Sequence, residues 1–180
     1  MEDVAGKLPQ EITLNDEAAV NTAVEAYLAL TEAQKELFSP ELKQRLADAE
    51  DVINKEKAAA ITTKVSGAKN LKGGKVRMQL GSPHYNAVKG KATSVLSAQE
   101  DITISGFYVQ YSTDKKFKKG VKSKKIKDPK AKTVTVKNLK KGKTYYFRTC
   151  TYTEVKNRVS GEEKTVKGKW SAKKKVKIKK

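Results

Sequence analysis

The stretch VTVKNLKKGKTYYFRTCTY, residues 134–152, decides how the chain is read. Val134 and Val136 alternate with threonine, Lys140-Lys141-Gly142 breaks the pattern, and Tyr145, Phe147 and Thr149 then alternate with Tyr146, Arg148 and Cys150. Period-two alternation places one set of side chains on each face of a strand, and a glycine-containing break between two such runs is a turn signal. The pattern recurs upstream in 76–80 (VRMQL) and 107–111 (FYVQY) and downstream in 176–178 (VKI), between the turn clusters Gly73-Gly74, Lys119-Gly120 and Lys167-Gly168. Short strands with no helical periodicity between them predict an antiparallel sandwich, because parallel strands would need crossover helices.

Before residue 61 the period changes. Ala18, Ala19, Val20, Ala23, Val24, Tyr27, Leu28 and Leu30 recur at spacings of three and four, which predicts an amphipathic helix from Asn15 to Leu30 capped by Asn15 or Asp16. Thr31 opens a second short helix with Gln34 as its capping-box partner, and Ser39-Pro40 starts a third that runs to about Ala59. The chain therefore divides into a helical part, 1–60, and a strand-rich part, 61–180.

Charge divides it at the same place. Residues 1–60 hold 6 Lys/Arg against 13 Asp/Glu, a net of −7, while residues 61–180 hold 33 against 7, a net of +26. So basic a surface attracts polyanions as a class, and the opposite signs let the acidic helices lie against the basic part. Lysine outnumbers arginine, with only Arg148 and Arg158 beyond residue 80. Base readers and phosphate forks favour arginine, so sequence-specific nucleic-acid recognition is not expected; lysines on edge strands also oppose edge-to-edge pairing.

Two resemblances follow from these residues. Residues 14–38 (LNDEAAVNTAVEAYLALTEAQKELF) and 46–53 (LADAEDVI) resemble small helical modules repeated in surface proteins of Gram-positive bacteria. That likeness spans about residues 8–56, with the family's first helix cut to 4–8, and implies a spacer or stalk whose partial bundle leans on a neighbour. Residues 104–120 (ISGFYVQYSTDKKFKKG), 134–152 and 168–180 (GKWSAKKKVKIKK) resemble the lysine-rich fibronectin type III repeats of Firmicute surface proteins. The second likeness implies a core of Phe107, Val109, Tyr111, Val134, Val136, Phe147 and Thr149. It puts Leu139 in the turn before a strand, Tyr145 in a corner that ties its hydroxyl to backbone, and Trp170 at the opening of the last strand over the sandwich edge. It departs at Leu80, where the family carries tryptophan. In that topology the long connections at 81–103 and 153–169 share one pole, so His84, Tyr85, Lys89, Lys91, Lys156, Arg158 and Lys164 are the candidate binding residues. Val95 and Leu96 are expected to give the first connection a structured stretch.

Catalysis is not expected. His84 is the single histidine, so no Ser-His-Asp triad or histidine-based metal site can assemble within the chain. Cys150, the single cysteine, forms no internal disulfide, lacks an activating base, and points by strand parity to the outer face, where oxidation would at most dimerise the protein. Glu100-Asp101 and Glu162-Glu163 read as loop residues and Asp114 and Asp128 as turn formers, not as paired acid and base. No glycine-rich phosphate loop is present, and no cofactor has a seat. Tyr85, Tyr108, Tyr146 and Tyr152 include outward candidates for glycan stacking. No apolar run is long enough to cross a membrane, and the N-terminus lacks the apolar core of a signal peptide, so in an exported protein Met1 is expected to mark a trimmed start. The reading is a non-catalytic extracellular or wall-associated module of a Gram-positive protein, acting in adhesion, spacing or association with anionic wall polymer, another polyanion or another protein. Its alternative is an accessory module of a larger secreted hydrolase, which a catalytic domain in the flanking sequence would reveal.

Overall fold

The computed structural model describes residues 6–85 and 104–179. A 3-10 turn, Leu14–Asp16, precedes helix α1 (Glu17–Leu28), followed by α2 (Glu32–Glu36) and α3 (Pro40–Ala60). The first helix is thus shorter than its apolar pattern; Asp16 stands at its N-cap position without a side-chain cap bond, and the capping box belongs to the 3-10 turn before it. Thr13 has extended backbone and accepts from the Asn15 amide, and Asp16 closes the box from the other side. Thr31 and Gln34 form the same reciprocal box at α2, and Ser39 with Pro40 starts α3. Leu14, Val20, Val24, Tyr27, Leu30, Phe38, Leu46 and Ile53 make the core between α1 and α3, with Tyr27 edge-on to Phe38 at 5.2 Å. Glu17 and Lys57, both largely shielded, pair across the two helices at 2.8 Å.

α3 ends at Ala60 and β1 (Ile61–Thr62) begins at the next residue. The strands that follow are β2 (Val65–Leu71), β3 (Lys75–Leu80), β4 (His84–Tyr85), β5 (Gly106–Ser112), β6 (Lys122–Ile126), β7 (Thr133–Val136), β8 (Thr144–Lys156), β9 (Glu163–Lys167) and β10 (Lys174–Lys177). One sheet has the order β2-β3-β7 and the other β10-β8-β5-β6, all antiparallel, while β1 pairs with β4. Two antiparallel sheets in that order, face to face around one core, make a fibronectin type III-like sandwich.

Val76, Met78, Phe107, Val109 and Phe147 are almost wholly shielded between the sheets, joined by Leu80, Val134, Val136, Val176 and Ile178. Each such side chain contributes roughly 1.5–3 kcal/mol of burial. Thr149 is buried beside them and donates to the Tyr108 carbonyl, whereas Tyr111 is only partly covered. Leu139 is buried in the turn before β8, its amide on the Gly74 carbonyl, and the Tyr145 hydroxyl accepts from the Lys140 amide at 3.3 Å. A Cβ on Gly74, which has φ of 65°, would lie 2.3 Å from the Leu139 carbonyl oxygen, so this crossing of turns requires glycine.

The connection after residue 152 is not a long loop. β8 continues to Lys156, turns through 157–162, and returns as β9 in register with it, Tyr152 opposite Lys167 and Lys156 opposite Glu163. Glu163 is therefore a strand residue. β9 and β10 lie along the same edge of β8 as one interrupted strand, and between them the Gly168 amide donates to Thr151 and the Ser171 amide to Thr149. Trp170 sits in that interruption; the last strand starts at Lys174.

Candidate functional site

The β8–β9 hairpin projects past the sandwich and meets the helices. At its tip Asn157, 1% exposed, donates through Nδ2 to the Ala47 carbonyl and to Asp51, both at 2.8 Å. Its Oδ1 accepts from the amides of Val159 and Ser160, so one side chain shapes the turn and fastens it to α3. Arg158 follows, its amide on Glu50 Oε2 at 2.8 Å, its Nε on Glu50 Oε1 and its terminal nitrogen on Asn21 at 2.8 Å. Glu50 is itself buried, so its charge is met by two donors from the hairpin. Lys164 pairs with Asp51 and with Glu162, and its hydrogen bond to Asp51 holds its pKa above the ordinary lysine value. Val159 enters the core of the helical part. At the root of the hairpin, a Cβ on Gly168 would stand 2.7 Å from the Ile61 carbonyl and 3.1 Å from that of Ala58, so helix, first strand and hairpin close on one another there.

Arg158 and Lys164 are thus engaged by the acidic helices and are not open loop residues. Lys156 is exposed at the end of β8. His84 and Tyr85 form β4, with His84 Nε2 3.1 Å from the Thr62 hydroxyl, a backbone pairing that the Pro83 context concealed. Lys89, Lys91, Val95, Leu96 and Glu100-Asp101 lie outside the described residues.

The outer face of the β10-β8-β5-β6 sheet carries a second constellation. The Arg148 guanidinium lies between the rings of Phe117 (4.2 Å) and Trp170 (4.6 Å) and donates twice to Gln110 Oε1. Tyr108 and Tyr152 are in ring contact at 5.1 Å, with Lys125 over Tyr152 and Lys167 over Tyr108. Lys125 also binds Glu154 at 2.8 Å. This layer corrects two expectations. Cys150 is on the outer face by parity but wholly buried, and burial pushes its thiol up to about 12, so it is neither nucleophile nor dimerisation site. Tyr152 is buried too and offers no glycan platform. Asp114 and Asp128 close turns, Asp114 accepting from the amides of Lys116, Lys118 and Lys119 and Asp128 from that of Lys130.

Among the described residues no cluster of three or more His, Cys, Asp or Glu is placed to hold a metal, and no helix is long and apolar enough to cross a membrane. The residues that the sequence did not single out are Asn157, Val159, Glu50 and Asp51. Their signal was indirect: the charge asymmetry, and an Asn-Arg-Val-Ser-Gly run at 157–161 suited to a tight turn.

Strand order and register define the chain as a helical part followed by a fibronectin type III-like sandwich. No family model matches the sequence, and no curated protein matches it. Among solved structures it is similar to a fibronectin type III domain derived from the human KIAA0970 protein, with TM-score 0.44, 16% identity, and coverage of 73% of this chain and 82% of that one. It is also similar to the FN1-FN3 domains of chicken CNTN1, with TM-score 0.42, 12% identity, and coverage of 65% of this chain and 32% of that one. A third is titled a myokine structure, with TM-score 0.41, 12% identity, and coverage of 65% and 96%.

Proposed function

We propose that the chain is a non-catalytic unit of a secreted or cell-surface protein of a Gram-positive bacterium, in which a helical spacer is fastened to a basic sandwich that associates with anionic wall polymer. The observation that carries this reading is the imbalance left after docking. Glu50 and Asp51 are met by Arg158 and Lys164, and within the sandwich Lys125 has Glu154, but most of the 33 Lys/Arg of residues 61–180 have no carboxylate partner among the described residues. Such a field concentrates polyanions at low ionic strength and is screened beyond about 10 Å at 0.1 M salt. The docked hairpin favours a stiff unit, as a spacer requires.

Sedimentation of the full chain with purified Gram-positive walls, before and after removal of teichoic acid, tests the reading across a salt series. Binding that needs the polymer and fades with salt is expected. Absence of binding at physiological ionic strength overturns it and leaves the lysines a solubility role.

A further inference from the structure

The edges of the sandwich are guarded unequally. Lys124 of β6 stands opposite the core residue Val109, so it turns toward the same face, and it donates to the Thr135 carbonyl of β7 at 3.2 Å. An inward charge of that kind keeps further strands off an edge. Asn70 of β2 likewise donates to the Lys177 carbonyl of β10 at 2.9 Å. β9 has no such guard among the described residues. The Gly168 amide donates to the Thr151 carbonyl and the Asn157 amide to the Glu162 carbonyl, with an unbroken register between them. In an antiparallel pair this gives Lys164 and Val166 the bonded positions, and Glu163, Thr165 and Lys167 turn their amides and carbonyls away from β8. Those outward groups have no hydrogen-bond partner among the described residues. The same three residues are exposed, and β9 contains neither proline nor bulge. Asp51 and Lys55 of α3 stand across a groove of about 570 Å³ from Lys164, Thr165, Val166 and Lys167, so the helix does not cover the edge.

The edge also carries both signs of charge. Glu163 and Lys167 lie on the same face of β9, and neither has an oppositely charged partner among the described residues. A strand of acidic peptide would answer Lys167 and repel Glu163. A second copy of β9, laid antiparallel, answers both. We infer that β9 joins two copies of the chain in a two-fold symmetric dimer, with Thr165 opposite Thr165 and Glu163 opposite Lys167 at each end. In that register all five residues of the strand are paired, and Glu163, Thr165 and Lys167 exchange their outward hydrogen bonds with the same groups of the second copy. Centring the two-fold on Glu163, Lys164 or Lys167 sets like charges face to face, and centring it on Val166 leaves Glu163 past the end of the second strand. The net charge of +19 opposes association at a distance, so the dimer forms where salt screens it. Dimer formation does not depend on polymer binding, which salt weakens.

Sedimentation velocity of the full chain over a concentration series tests this at about 0.15 M salt, where charges more than about 8 Å apart are screened. A reversible monomer-dimer equilibrium is expected. Amide exchange at Glu163, Thr165 and Lys167 should slow as the concentration rises, while that at Lys164 and Val166, already bonded to β8, stays unchanged. Thr165→Pro removes an amide that β8 does not use, so it should leave the monomer folded and abolish the dimer. Glu163→Lys and Lys167→Glu shift the net charge in opposite directions, yet each sets like charges opposite one another twice in a symmetric interface. Each should weaken the dimer roughly tenfold, and the two together should restore it. If Thr165→Pro fails to fold, the charge exchange still decides. A chain that stays monomeric throughout the series, a dimer that survives Thr165→Pro, or charge reversals whose effects follow net charge alone would overturn the joining edge.

Discussion

The helical part and the sandwich bury their apolar residues in different ways. The sandwich core is closed on itself, from Val65 to Ile178, and contains no residue of the helices. The helical core includes Val159, carried in on a hairpin from far along the chain, and the deeply buried acid Glu50 is answered by Arg158 of that hairpin. The difference teaches a dependence: the sandwich is the scaffold, and the helices are stable on it because the hairpin finishes their core and answers their charge. Isolated helices as short as α1 and α2 are marginal in water, so they depend on the packed core that Val159 completes.

The sharpest way to break that comparison is to separate the parts. Residues 61–180 alone are expected to unfold cooperatively, while residues 1–60 alone should show weak helicity and no cooperative melt by circular dichroism; a cooperative transition in the isolated helical part would refute the dependence. Asn157→Ala comes next. It leaves the Val159 and Ser160 amides without their partner and removes the two Nδ2 bonds to Ala47 and Asp51 of α3, and about 3 kcal/mol of loss is expected, read by hydrogen exchange that rises in α1 and α3 before the sandwich strands. Equal loss of protection in both parts would mean that they unfold as one unit.

Val159→Ala removes about two methyl equivalents from the helical core and should cost about 1.5 kcal/mol, again confined to the helices in exchange. The smallest effect belongs to Cys150. Its folded pKa, about 12, lies above the unfolded thiol value of 9.0, so its contribution to stability is complete below about pH 9 and is lost as pH rises toward 12. Denaturant titrations at about pH 8 and about pH 10, on either side of the unfolded thiol value, should show a smaller pH-dependent loss in Cys150→Ala than in the unaltered chain. A thiol reagent should modify Cys150 near neutral pH only after unfolding. Rapid labelling of the native chain would show that the layer of Tyr108, Tyr152 and Arg148 is open.

Much of this architecture was legible in local pattern. Alternation at 134–136 and 145–149 marked the strands, and the Thr31–Gln34 and Ser39-Pro40 signals marked helix starts, because those features act over a few residues. β9 was not legible: EKTVK is polar and lysine-bearing, and it is a strand because β8 offers it an edge beyond the sandwich. Cys150 shows the same limit from the other side. Parity placed its side chain on the outer face, but parity says nothing of what covers a face.

By itself the sequence determined the two parts, their opposite charges, the core face of the main strands and the absence of a histidine-based catalytic set, since each follows from residue type and short-range period. Only the tertiary structure decided that Arg158 and Lys164 face acidic helices instead of a ligand, that Cys150 is fully buried despite its outer-face parity, and that β9 keeps an uncovered edge beside Asp51 and Lys55 of α3. Those outcomes depend on contacts between residues far apart in the chain, whose energies exist only once the backbone has brought them together.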